Sequence, residues 1–180
     1  MIEVEVKAKT DHRIKKKLES IGAQKIRTEK QEDIYFNAPH KDFKTTDEAL
    51  RIRKTPTRTL LTYKGPKIDE KSKTRQEIET EIPNPQKMTR ILEHLGFKKA
   101  HKVVKKREIY QLDDLTITID NIKGLGTYIE IEKDIKENED YDETLNKIYK
   151  IYKKLGIQKG FQRKSYLELL LDDNPPSKRN

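Results

Sequence analysis

The sequence predicts an α+β fold: an antiparallel β-sheet covered by amphipathic helices, with charges gathered on one face of the sheet. Three observations lead there. The opening stretch, Met1–Lys9, alternates strictly, with Ile2, Val4, Val6 and Ala8 pointing one way and Glu3, Glu5, Lys7 and Lys9 the other. The same design recurs along the chain, and its polar positions hold charges of selected type, as Glu-x-Glu, Arg-x-Arg and Lys-x-Arg. Lastly, Leu18–Lys25, Leu92–Lys99 and Tyr152–Lys159 share one pattern of helix end, glycine and entry to an extended segment. A generic helix-stop signal and an internal duplication would both produce that echo.

Composition sets the bounds. The 180 residues fit one domain, placed at 1–172, followed by a disordered tail at 173–180. Hydrophobic residues make up 32% and charged residues 39%, which is polar, but the apolar positions are patterned as in a folded protein. A net charge of +9 points to an anionic partner such as nucleotide, polyphosphate or nucleic acid, although Lys-rich surfaces of thermophile type give the same excess. The absence of cysteine excludes disulfides, thiol catalysis and Cys-ligated zinc. No apolar run approaches a membrane span, and the chain opens on a strand rather than a signal peptide. A soluble cytoplasmic protein with no membrane partner is the expectation.

In chain order, Thr10 or Asp11 caps a helix over 11–22, with Ile14, Leu18 and Ile21 as its apolar stripe and Gly22 as its stop. Short strands follow at 23–28 and 31–36, closed by Asn37-Ala38-Pro39, and 40–48 reads as a polar loop. Strands at 49–54 and 59–64 flank the turn Pro56-Thr57-Arg58, and Gly65-Pro66 breaks the second of them. The charged run 67–73 precedes a strand at 74–82. After Pro83-Asn84-Pro85 come a helix over 85–95, strands at 102–112 and 115–120 hinged at Asp113-Asp114, a turn at 121–126 and a strand at 127–133. A helix spans 141–155, and Ser165–Leu171 is helical or extended.

Two architectures accommodate the charged strand faces. A sheet closed into a barrel puts them inside; an open sheet with helices on one side leaves them in solvent. Charges inside a barrel are costly unless paired or bound to ions, so that interior would be a wet site with a purpose. Clustered carboxylates without His or Cys are hard oxygen ligands suited to Mg²⁺ or Mn²⁺. Clustered Arg and Lys suit phosphate oxygens. Together they describe a site for polyphosphate and metal. A single Glu-x-Glu would be an ordinary solvated strand face; the whole set argues for function.

The set also resembles a known family, the CYTH family or triphosphate tunnel metalloenzymes. Glu3-x-Glu5-x-Lys7 carries the likeness, with Asp33-x-Tyr35-Phe36, Leu50-Arg51-Ile52-Arg53, Tyr63-Lys64-Gly65-Pro66, Arg75-x-Glu77-x-Glu79, Lys105-x-Arg107, Asp120 and Glu130-x-Glu132 in order behind it. The tail Ser165–Leu170 looks most like the archaeal members of the class IV adenylyl cyclase branch. The resemblance implies a closed eight-stranded antiparallel barrel with flanking helices, holding a nucleoside or inorganic triphosphate with Mg²⁺ or Mn²⁺. It implies Glu3, Glu5, Glu130 and Glu132 as the metal shell, Glu5 and Glu130 foremost, with Glu77 and Glu79 as further metal-side or Arg-neutralising groups. Lys7, Arg51, Arg53, Lys64, Lys105 and Arg107 would grip phosphates, with Arg75 and Lys9 as weaker members. Glu5, Glu130, Asp120 and Lys7 would stand at the reaction, Asp120 on the metal side or as a positioning carboxylate. Relatives of that branch suggest a homodimer.

Class IV adenylyl cyclase is the first functional expectation: the ribose 3′-hydroxyl attacks the α-phosphorus of ATP, giving cyclic AMP and pyrophosphate. The rivals are hydrolysis of tripolyphosphate or of nucleoside or thiamine triphosphate, a non-catalytic binder of nucleotide or 5′-triphosphorylated RNA, and a structural protein with solvated sheet faces. Unless metal intervenes, carboxylate clusters repel a nucleic-acid backbone, so nucleic acid is disfavoured. Tyr35, Phe36 and Phe43 could stack on a base or belong to the core. Residues 65–73 read either as a lid closing through Lys67, Lys71 or Lys73, or as a floppy hairpin tip. His12, His40, His94 and His101 show no ligand spacing, Lys15–Lys17 is a solvated helix face, and Gly124-Leu125-Gly126 is a turn, not a phosphate loop.

Overall fold

The computed structural model describes residues 2–68, 72–136 and 139–173, the side chain of Asp173 excepted. The predicted tail beyond 173 and Lys71 lie outside the described residues. In chain order the elements are β1 (Ile2–Thr10), α1 (Ile14–Ser20), β2 (Gln24–Asn37), β3 (Ala49–Lys54), β4 (Thr59–Lys67), β5 (Arg75–Glu81), α2 (Pro85–His94), β6 (Lys98–Leu112), β7 (Leu115–Ile122), β8 (Gly126–Ile135), α3 (Tyr141–Lys154), β9 (Phe161–Gln162) and α4 (Tyr166–Asp173).

Eight antiparallel strands run β5-β4-β3-β2-β6-β7-β8-β1, and β5 pairs back onto β1, closing the barrel. The closing seam is short, with only Ile2↔Gln76 and Glu3↔Arg75 in register. The two-residue β9, not foreseen in the sequence, continues along the same edge of β1 at Lys7↔Gln162 and Ala8↔Phe161.

Closure sorts the alternating residues. Val4, Val6 and Ala8 of β1, Ile117 and Ile119 of β7, and Ile129 and Ile131 of β8 face outward under α1 and α3, where they meet Leu18, Leu145, Ile148 and Tyr152. Tyr152 is fully buried there and its hydroxyl reaches the Val6 carbonyl at 2.7 Å. On the far side, Phe36, Leu50 and Ile52 pack under Leu92 of α2. Among the described residues no helix is long and apolar enough to cross a membrane.

The shared helix-end pattern is a stop signal with a definite geometry. Gly22, Gly96 and Gly156 have φ of 86°, 90° and 77°, the left-handed region that glycine enters without cost. In each case the next residue's N–H reaches back to the last turn: Ala23 to Leu18 O, Phe97 to Leu92 O and Ile157 to Tyr152 O. Helix α4 opens with a capping box, Ser165 Oγ accepting from Glu168 N–H and Glu168 Oε2 from Ser165 N–H.

Three strands differ from the sequence expectation by more than two residues at an end or by a missing break. The two strands expected at 23–28 and 31–36 are one strand, β2, bent by bulges rather than broken. Strand β6 starts at Lys98, before the expected 102. Gly65-Pro66 does not end β4; the register shifts between Lys64 and Lys67, and a bulge tolerates a proline that has no N–H to donate.

Candidate functional site

The barrel encloses a cavity of about 710 Å³ lined by the charged strand faces. Of the predicted residues, Glu3, Glu5, Arg51, Arg53, Lys64, Arg75, Glu77, Glu79, Lys105, Arg107, Glu130 and Glu132 line it. Lys7 and Asp120 are fully buried and bond or approach the lining residues Arg107 and Glu130. Lys9 is exposed.

The carboxylates fall into two sets. Glu3, Glu5 and Glu132 each offer an oxygen within 4.8 Å of the others. They meet because Glu5 and Glu132 are opposed across the β1–β8 ladder and Glu3 lies two residues from Glu5 on the same face. Burial pushes the Glu5 carboxyl up, with the Glu130 charge adding to it. Burial likewise raises Glu132, to about 8; Arg107 opposes this, and Glu3, Glu5 and Glu130 add to it. Three crowded hard-oxygen donors, two of them driven to keep protons, fit Mg²⁺ or Mn²⁺, whose charge relieves both burial and repulsion.

The second set lies outside this trio, and like Glu3 and Glu5, which bond Lys64 and Lys73, it is largely paired with cations. Asp120 accepts from Lys105 Nζ at 2.9 Å and from Arg107 Nε and Nη2 at 2.7 and 2.5 Å. Glu130 stands outside the trio, 2.5 Å from Arg107 Nη2 and 3.7 Å from Lys7 Nζ. Burial raises Glu130, but Lys73, Arg107 and Lys7 outweigh it and hold the carboxyl well below its usual range. Glu77 pairs with Lys64 at 2.6 Å, and exposed Glu79 accepts from Thr62 at 2.8 Å.

Carboxylates hold the cations from behind. Asp33 takes both Arg53 Nε and Nη2 at 2.7 Å and lies 3.7 Å from Arg51. Lys64 also bonds Glu3 at 2.7 Å, and Arg75 lies 3.7 Å from Asp47. Burial pushes Lys7 down to about 7, with the Lys73 charge contributing, and Lys105 down to about 8, with Arg107 contributing. Lys7 Nζ and Arg51 Nε are buried without a hydrogen-bond acceptor, which phosphate oxygens could supply. The result is one cavity in which a basic set of side chains interleaves with an acidic, metal-type cluster.

Three participants escaped the sequence reading. Asp33 lies in a motif that assigns it no role; its place opposite Arg53 comes with the β2–β3 register. Lys73 is expected as one of three residues of a closing lid, with no carboxylate partner, yet its Nζ sits on Glu5. Tyr166 lays its ring 4.1 Å from Lys7 Nζ and 4.9 Å from Lys105 Nζ, a placement only the tertiary fold reveals. Phe36 and Phe43 belong to the core under α2, although both also border the cavity.

The comparisons agree with this geometry. The CYTH domain family model matches residues 1–166. A Methanocaldococcus jannaschii protein named "Putative adenylate cyclase MJ0240" is 46% identical over 172 residues, 94% of this chain and 98% of that one. The PH1819 protein of Pyrococcus horikoshii shares 48% identity and superposes with a TM-score of 0.88 over 94% of this chain and 98% of its own. HpAC1 of Hippeastrum, whose structure is described as revealing a dominant triphosphatase activity, shares the fold at a TM-score of 0.65 and 20% identity, covering 94% and 93% of the two chains. An ExExK strand, a closed barrel with its charges inside and a family match from the first residue converge: the chain belongs to the CYTH family.

Proposed function

We propose that this chain is a metal-dependent adenylyl cyclase, converting ATP to cyclic AMP and pyrophosphate. The observation that supports it most is the pairing of the Glu3–Glu5–Glu132 trio with a wall of Arg and Lys inside one cavity. The name borne by the M. jannaschii relative favours the cyclase over other triphosphate chemistry. A cavity of about 710 Å³ is large enough for a nucleotide.

A divalent ion on the trio would lower the pKa of the ribose 3′-hydroxyl and offset phosphate charge. Arg51, Arg53 and Lys64 would hold the triphosphate. Lys105 and Arg107, fixed by Asp120, would stabilise the charge that grows on the departing pyrophosphate. Lys7, pushed down to about 7, could change its protonation state near neutral pH.

The activity described for HpAC1 supports a second reading, in which the same groups aim water at a terminal phosphorus of a triphosphate. The test is to incubate the protein with Mg²⁺ or Mn²⁺ and either ATP or tripolyphosphate and to separate the products. Cyclic AMP with pyrophosphate supports the cyclase. Orthophosphate without cyclic nucleotide replaces it with the triphosphatase. Neither product, with triphosphate still bound, would mean a binding protein.

Arg53→Ala should weaken tripolyphosphate binding about tenfold, the loss of one charge-assisted contact. Calorimetry in the presence of metal measures it, and unchanged affinity would place the phosphates elsewhere.

A further inference from the structure

The barrel seam brings an unassigned cation into the site. Strand β5 covers β1 only at Ile2 and Glu3, and β9 only at Lys7 and Ala8. Between them, the Lys73 N–H donates to the Glu5 carbonyl at 3.0 Å. Residues 72–74 are buried along this edge, tied by Ile68 N–H to Thr74 O at 2.8 Å and by Arg163 Nε to Ser72 O at 3.2 Å. The Lys73 side chain therefore enters the cavity from a fixed backbone. Its Nζ lies 2.5 Å from Glu5 Oε1 and 3.6 Å from Glu130 Oε1.

Glu5 is thus claimed twice, by this ammonium and by the trio that fits a divalent ion. A metal ion on Glu5 would repel a neighbouring ammonium and take the oxygen that holds it. The neighbouring guanidinium groups cannot respond as freely, because Arg53 and Arg107 are each locked to an aspartate through two nitrogens. A lysine is a point charge on a flexible stem and can turn while its backbone stays in place. The same cavity holds Lys64, Lys105 and Arg107, whose charges repel an ammonium leaving Glu5 until phosphate oxygens lie among them.

We propose that Lys73 is a built-in counter-ion of Glu5 and Glu130, that divalent metal displaces it, and that the freed ammonium then binds the triphosphate. This rests on the reading above, in which the trio binds metal and the cavity binds a triphosphate. It makes metal the first ligand to enter and Lys73 a substrate contact formed only afterwards.

The test starts without substrate. Mn²⁺ is titrated into the full chain and into Lys73→Met, Lys73→Gln and Lys73→Arg variants, with free ion followed by electron paramagnetic resonance. The two neutral variants should bind Mn²⁺ about tenfold more tightly than the parent, because an internal competitor is gone. Lys73→Arg, which keeps the charge, should stay near the parent. Imidotriphosphate, a triphosphate analogue that resists hydrolysis, is then titrated onto the Mn²⁺-loaded proteins. Here the neutral variants should bind several-fold more weakly than the parent. Equal or weaker Mn²⁺ affinity in folded neutral variants overturns the proposal and leaves the metal site standing. Unchanged analogue affinity does the same. No Mn²⁺ binding by any of the proteins overturns both the proposal and the reading beneath it.

Discussion

Glu5→Gln should lower metal-dependent turnover by at least about 10³-fold in a protein that still folds. Glu5 is 4% exposed and sits at the centre of the acidic corner, in the trio with Glu3 and Glu132 and under the ammonium of Lys73. The substitution keeps the side chain's shape but removes a charged oxygen donor, and a hard divalent ion discriminates strongly between the two. The fold has reason to tolerate it. A neutral amide relieves repulsion among the carboxylates, and Lys73 still has Glu130 at 3.6 Å. Circular dichroism separates folding from function, and rates near the parent's in a folded variant would remove Glu5 from the site.

The same corner predicts the pH dependence of metal binding. Glu5 and Glu132 are both held above the ordinary carboxylate range, Glu132 at about 8, so metal must displace protons to use them. Raising the pH removes that competition. Lys7, at about 7, loses its charge over the same interval, which acts in the same direction. Mn²⁺ affinity should therefore climb from about pH 6 to about pH 9, less steeply in Glu5→Gln. A flat profile would contradict the crowding seen among the three carboxylates.

The strand-borne part of this site was legible because a strand has a period of two. Once Val4, Val6 and Ala8 are taken as outward, Glu3, Glu5 and Lys7 have nowhere to point but inward. Whether the sheet closes was not legible in any strand. Closure depends on two residue pairs between β1 and β5, a contact spanning about seventy positions of sequence that no local pattern encodes. Glu130 and Glu132 look equivalent in the sequence, two residues apart on the same face. The structure separates them, because Arg107 bonds Glu130 directly while Glu132 is left to the trio. The docking of Lys73 on Glu5 and of Tyr166 on Lys7 was out of reach for another reason. One comes from an irregular segment and the other from a terminal helix, and neither periodicity nor spacing says where such residues dock.

Asp120→Ala should cost about 3–5 kcal/mol of stability in the absence of ligands, because it strands two buried cations. Asp120 is fully buried and accepts from Lys105 and twice from Arg107. Without it, Arg107 keeps its bond to Glu130 and Lys105 keeps the face of the Tyr166 ring at 4.9 Å, with longer-range attraction from Glu132 on the first and Glu130 on the second. For a chain of this size the melting temperature should fall by about 10 °C. Arg107 and Lys105 outweigh burial and hold the Asp120 carboxyl below its ordinary value, so its contribution is present above about pH 4 and is lost on further acidification. Imidotriphosphate with Mn²⁺ should recover part of the deficit, since phosphate oxygens reaching this wall would supply the anion the variant lacks. Thermal unfolding of parent and variant, with and without the two ligands, reads both effects. A deficit that ligand leaves untouched would mean that Asp120 braces these cations for the fold alone, away from the phosphates. An unchanged melting temperature would mean that Lys105 and Arg107 find other partners, and that the basic wall does not depend on the carboxylate behind it.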